Sequence, residues 1–192
     1  MELIEYRVRE LVSTLESFLD ECKQDLLQVS EILSEAFLGN SKILICGNGG
    51  SAADSQHFAA EFVSGFSKNI QRKGLPAISL SVDTSIITAY SNDFSYEGVF
   101  ARQVEAYGDT GDVLIVITTS GISKNCIAAV MQAKNMGLKT IAFTSKGGKI
   151  IDIVDISIKV PSTNTQHIQE CHMVAYHIIT EIVEEKLFKK KQ

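Results

Sequence analysis

Residues 42–53 read KILICGNGGSAA: a short apolar run enters a glycine-rich turn, and small residues beyond the turn open a helix. Lys42 to Cys46 is read as a buried strand and the helix is placed from about Ala52. Downstream, the apolar runs 77–82, 112–118, 140–144 and 156–160 have strand length and are separated by helix-length stretches. Five strands joined by helical crossovers predict a doubly wound α/β fold, with a mostly parallel five-stranded sheet and helices on both faces. Upstream, Val8, Leu11, Val12, Leu15, Phe18 and Leu19 recur at helical spacing, and Leu26, Val29, Ile32, Leu33, Ala36 and Phe37 repeat the pattern before Gly39 and Asn40. Two N-terminal helices are therefore expected within residues 1–40, packed either on another subunit or on their own sheet.

The 192 residues suit one domain with this helical extension. An apolar share of 45% and a charged share of 21%, with only 2 prolines, match an ordinary globular chain. A net charge of −5 argues against nucleic acid as a partner, because phosphate-backbone binding needs a basic face. The one basic cluster, Lys186, Lys189, Lys190 and Lys191, reads as a solvated tail. Cys22, Cys46, Cys126 and Cys171 are scattered, as reduced thiols of a cytoplasmic protein would be; the N-terminal MELIEYRVRE mixes charges into its apolar residues, unlike a signal core, and no stretch approaches the length of a membrane span.

In a doubly wound sheet, ligands collect beyond the carboxyl ends of the strands. The loop GNGGS, residues 47–51, lies there and faces the positive end of a helix, which suits an anion or a polyol. Gly47, Gly49 and Ala52 also satisfy a dinucleotide fingerprint, but its acidic partner, due about 20 residues on, could only be Asp83, which is considerably further away. The loop TTSGIS, residues 118–123, brings four hydroxyls and Gly121 to a second strand-to-helix junction. Such a loop can hold a phosphate without a cation, although Ser123 could instead cap the following helix.

His57 and Glu61, four apart, share one helix face as potential proton carriers or metal ligands. The last helix, roughly 165–186, carries His167, His172 and His177 with Gln169 and Glu170. Spacing alone favours Glu170 as the partner of His177, since residues seven apart lie nearly in line. Apolar neighbours also allow these histidines to be core residues.

Four segments in order, CGNGGSAADSQHFAAEF, YSNDFSYEGVFARQVEAYGDTGDVL, TTSGIS and HIQECHMVAYH, resemble the phosphoheptose isomerases of the sugar-isomerase (SIS) domain superfamily over nearly the whole chain. That resemblance implies conversion of sedoheptulose 7-phosphate to a manno-heptose 7-phosphate for bacterial surface polysaccharide. It implies Glu61 and His177 as the acid/base pair and a zinc ion held by His57, Glu61, Gln169 and His177, with Gln169 rather than Glu170 as the ligand. Asn48, Gly49, Gly50, Ser51, Asn92, Asp93, Thr118, Thr119, Ser120 and Ser123 match substrate-binding positions, and Glu61 and Gln169 would also reach the sugar. A homotetramer with sites at subunit interfaces is the family habit.

The chain departs from the family pattern at Gly65 and at Gln166-His167, where arginines are expected, and at Ile122, where asparagine is usual. Lys68, Arg72 and His167 are the candidates to supply the missing charge. The run EFVSGF is closer to the capsule-heptose branch than to the lipopolysaccharide branch. The competing readings are an isomerase of another sugar phosphate, a non-catalytic sugar-phosphate sensor or replication-initiator-binding relative, and a dinucleotide-dependent oxidoreductase. The presence of both Glu61 and His177 speaks against a binding module.

Overall fold

The computed structural model describes residues 1–189; Lys190 and Lys191 of the basic tail lie outside them. The elements run α1 (Glu2–Leu38), β1 (Ile43–Gly47), α2 (Gly50–Ser64), β2 (Ala77–Ser79), α3 (Thr84–Asp93), α4 (Val99–Tyr107), β3 (Val113–Ile117), α5 (Lys124–Asn135), β4 (Lys139–Ser145), β5 (Ile156–Val160) and α6 (Thr165–Phe188). The sheet is wholly parallel with strand order β2-β1-β3-β4-β5. β1 and β3 are the most apolar strands and are buried along their whole length, as central strands covered on both faces must be. One core, built from α1, α2 and α6, covers one face of the sheet; the second, built from α4 and α5, covers the other.

A single helix of 37 residues replaces the expected pair. The stretch between Leu19 and Leu26 is polar but has neither glycine nor proline to stop a helix. Cys22 continues the apolar stripe there: Phe18, Cys22, Leu26, Val29 and Leu33 are all buried, and the Cys22 thiol donates to the Lys159 carbonyl at 3.4 Å. The helix packs chiefly on α6 and β5 of its own chain. Its first turns leave Leu3, Ile4, Val8 and Val12 exposed. β2 is shorter than the run 77–82 because its ladder with β1 ends at Ser79, opposite Ile45.

Register positions the loops. Gly47 stands opposite Ile117, and Ile117 opposite Phe143, so the turn after β1 and the loop after β3 leave the sheet side by side. The chain order reverses between these strands, which is where an open α/β sheet forms its ligand crevice.

Candidate active site

The glycine turn is shaped by what touches it. α2 begins at Gly50, two residues earlier than expected, and any Cβ on Gly50 would collide with the Gln169 amide of α6. The turn and α6 thus meet through the end of the Gln169 side chain, which a larger residue at this position would have to displace. Asn48 is held from two directions: it exchanges hydrogen bonds of 2.9 and 2.8 Å with Asn125, and its Oδ1 accepts from the Tyr96 hydroxyl at 2.8 Å. Gly50, Ala53, Asp54, Gln169 and Glu170 line a cleft of about 380 Å³ between α2 and α6. In that cleft Asp54 is buried, its Oδ2 has no partner, and burial raises its carboxyl above the usual range.

The hydroxyl loop lies beside this turn. Thr118 Oγ1 and Ser123 Oγ are 3.1 Å apart, and Ser123 makes no capping bond to α5, so its hydroxyl serves the loop and not the helix end. Thr119 and Ser120 line a second cavity of about 380 Å³ with Ser145, Lys146 and Thr163. Gly121 has φ +66°, and a Cβ there would collide with the Gly147 carbonyl, so the loop is clamped against the turn after β4. Asn92 and Asp93 end α3 exposed and bond to each other at 2.8 Å; among the described residues neither is hydrogen-bonded to another predicted site residue.

Two turns along α2 from Gly50, His57 Nε2 meets Glu61 Oε1 at 2.8 Å. His177 of α6 faces them, its ring centroid 5.1 Å from that of His57. One ligand atom from each of His57, Glu61 and His177 falls within 4.8 Å of the others. Burial and the neighbouring His57 push the His177 imidazole below its usual range while Glu61 opposes them, so the ring favours its neutral, proton-accepting form. Two imidazole nitrogens and a carboxylate oxygen form a donor set that suits zinc.

Several expectations are corrected. Glu170 does not join His177; its Oε2 pairs with His167 Nδ1 at 2.8 Å. His167 is buried between that carboxylate and Glu10 of α1, 3.7 Å away, and is not free to meet a phosphate. Arg72 is equally committed: its Nε pairs with Glu184 at 2.6 Å, with both side chains almost fully buried. Of the three candidates, Lys68 is the exposed one and lies outside these pairs. Asp83, the candidate ribose ligand, caps α3 by accepting from the Ile86 N–H at 2.9 Å. The four cysteines are free and buried, and burial pushes Cys22 and Cys171 up to about 11, so neither is a nucleophile.

His172 is a core histidine. Its Nε2 lies 3.4 Å from the Thr144 carbonyl, its Nδ1 has no partner, and burial lowers its pKa from 6.5 to about 4. A base held below its unfolded value is fully stabilising above pH 6.5 and loses that contribution as the pH falls toward 4. Urea unfolding at about pH 7.5 and about pH 5 should show the wild type losing on the order of 2 kcal/mol more than His172→Leu. Equal losses in the two proteins would remove His172 as the acid-sensitive group.

Tyr176, Tyr96, Asn125 and Asp54 were not singled out by the sequence. Tyr176 is fully buried, and its hydroxyl lies 2.9 Å from His57 Nδ1. Its one sequence signal is its place beside His177.

Comparison with known proteins bears on this arrangement. The SIS domain family matches residues 6–145. The phosphoheptose isomerase of Roseiflexus sp. strain RS-1 is 54% identical over 166 residues, covering 86% of this chain and 83% of its own length. That of Clostridium acetobutylicum is 46% identical over 191 residues, covering 98% of this chain and 96% of its own. Among solved structures, the phosphoheptose isomerase of Neisseria gonorrhoeae superposes with a TM-score of 0.91 at 36% identity, covering 96% of this chain and 98% of that one. No helix among the described residues is long and apolar enough to cross a membrane.

Proposed function

Because this chain belongs to the phosphoheptose isomerases of the SIS domain family, and is an isomerase, we propose that it converts sedoheptulose 7-phosphate to D-glycero-D-manno-heptose 7-phosphate, with Glu61 and His177 moving the proton. The observation that carries this assignment is the convergence of His57, Glu61 and His177, one set of ligand atoms within 4.8 Å, at the crevice of a parallel sheet. Moving a carbonyl from C2 to C1 removes a weakly acidic C–H proton and returns one to the adjacent carbon through an enediol. A carboxylate takes and gives such a proton, and a neutral imidazole serves the neighbouring oxygen. The hydroxyls of Thr118, Thr119, Ser120 and Ser123, with the N-terminus of α5, supply donors for the phosphate, assisted by backbone N–H groups of residues 48–51. Asn92 and Asp93 would complete the sugar contacts on substrate binding.

His57, Glu61 and His177 would hold zinc, with the Gln169 amide oxygen as a fourth ligand. An ion held there would supply Lewis-acid polarisation of the substrate oxygens. We place the enzyme in the cytoplasm as a homotetramer that makes heptose for surface polysaccharide; the exposed Leu3, Ile4, Val8 and Val12 of α1 support assembly.

Incubation with sedoheptulose 7-phosphate in deuterated water, with and without zinc, tests the reaction. Aldose carrying solvent deuterium at C2 is the expected product by NMR. Absence of both turnover and exchange under either condition would turn the assignment toward another sugar phosphate or a binding role. Gly121→Ala should raise KM about tenfold or more, because a non-glycine residue at positive φ costs roughly 1–2 kcal/mol before the collision with Gly147 is counted. An unchanged KM would remove the clamped loop from phosphate binding.

A further inference from the structure

The His57 imidazole has a partner on each nitrogen. Glu61 Oε1 lies 2.8 Å from Nε2, and the Tyr176 hydroxyl lies 2.9 Å from Nδ1. An ionised carboxylate can only accept, so in the neutral ring Nε2 carries the hydrogen, Nδ1 has the lone pair, and Tyr176 donates. Tyr176 cannot drift from this geometry. Its ring is fully buried, stacks on Phe58 at 5.2 Å and stands edge-on to both His57 and His177 at 5.3 and 4.8 Å.

A cation bound at Nε2 needs the lone pair there, which moves the ring hydrogen to Nδ1. A carbonyl or carboxylate beside Nδ1 would fix that second form permanently. A hydroxyl can donate to one form and accept from the other. When it accepts, its own hydrogen is free to turn toward another acceptor.

We infer that Tyr176 is a positioning residue: its hydroxyl aims the His57 ring at the Glu61–His177 site and accommodates both tautomers, so that His57 can exchange a hydrogen bond to Glu61 for a bond to a cation. This inference rests on the metal site proposed above.

Nitrogen-15 NMR of the histidine side chains, at a pH where the rings are neutral, tests the hydrogen-bond assignment without metal or substrate. In the metal-free wild type, His57 is expected as the Nε2–H form; in Tyr176→Phe the hydrogen should stay on Nε2, which still meets Glu61, while the Nδ1 signal moves downfield as it loses the donated hydrogen bond. Zinc, titrated by competition with a chromophoric chelator, should bind Tyr176→Phe 10- to 100-fold more weakly, and kcat should fall with KM little changed. The unfolding temperature reports separately on packing. A wild-type His57 found as Nδ1–H without metal, or a His57 spectrum identical in wild type and Tyr176→Phe, would overturn the inference. If the wild type itself takes up no zinc, the metal assignment fails, while the metal-free spectra still decide the role of Tyr176.

Discussion

Glu61→Gln should lower kcat by roughly 10²- to 10⁴-fold, the range that a positioned acid or base contributes, with KM little changed. The substitution preserves shape, and the amide oxygen can still accept from His57 Nε2, now 2.8 Å from the carboxylate. What it removes is the carboxylate proposed to carry a proton between carbons. His177→Ala should cause a loss of similar size, since the opposite side of the cluster then has no imidazole. Zinc content must be measured alongside, because Glu61 and His177 are also the proposed ligands. A Gln variant that keeps its metal but loses both turnover and deuterium exchange has lost the base. One retaining a tenth or more of wild-type kcat would remove Glu61 from proton transfer.

Arg72→Met should destabilise the fold by roughly 3–5 kcal/mol, the cost of leaving one member of a buried ion pair uncompensated. Arg72 and Glu184 are 2% and 1% exposed, which leaves water little access to relieve the stranded carboxylate. The guanidinium also donates to the Phe62, Glu61 and Lys73 carbonyls at 2.7, 2.9 and 3.1 Å, and Glu184 accepts from the Phe66 and Ser67 N–H groups. Together these bonds tie the end of α2 and the segment beyond it to α6. Lysine cannot reproduce a fork with three separate nitrogen donors, so Arg72→Lys should rescue little of the loss. Urea unfolding monitored by circular dichroism reads the effect, and a loss below about 1 kcal/mol would mean that water reaches the pair.

The sheet was legible in the sequence because buried parallel strands are continuous apolar runs bounded by polar or glycine residues. The GNGGS and TTSGIS loops were legible because glycines and hydroxyls at strand-to-helix junctions have few other uses. Partners far apart in the chain were not. Periodicity tells which face of a helix a residue occupies but not which neighbour it meets: Glu170, aligned with His177 by spacing, pairs instead with His167, and the approach of Glu10 from α1 to that histidine has no local signal. Arg72 looked available for phosphate for the same reason, since its partner Glu184 lies 112 positions away. Tyr176 looked like one more apolar position of α6, as nothing local distinguishes a buried phenol with a partner from one without.

The packing of α1 on α6 joins the first helix of the chain to the last. During synthesis, His57 and Glu61 leave the ribosome more than a hundred residues before His177. The stripe of Phe18, Cys22, Leu26, Val29 and Leu33 must wait as long for the helix that covers it. A nascent or truncated chain that lacks α6 therefore holds His57 and Glu61 without His177 beside an uncovered apolar helix, so the proposed chemistry waits for α6 to form and dock.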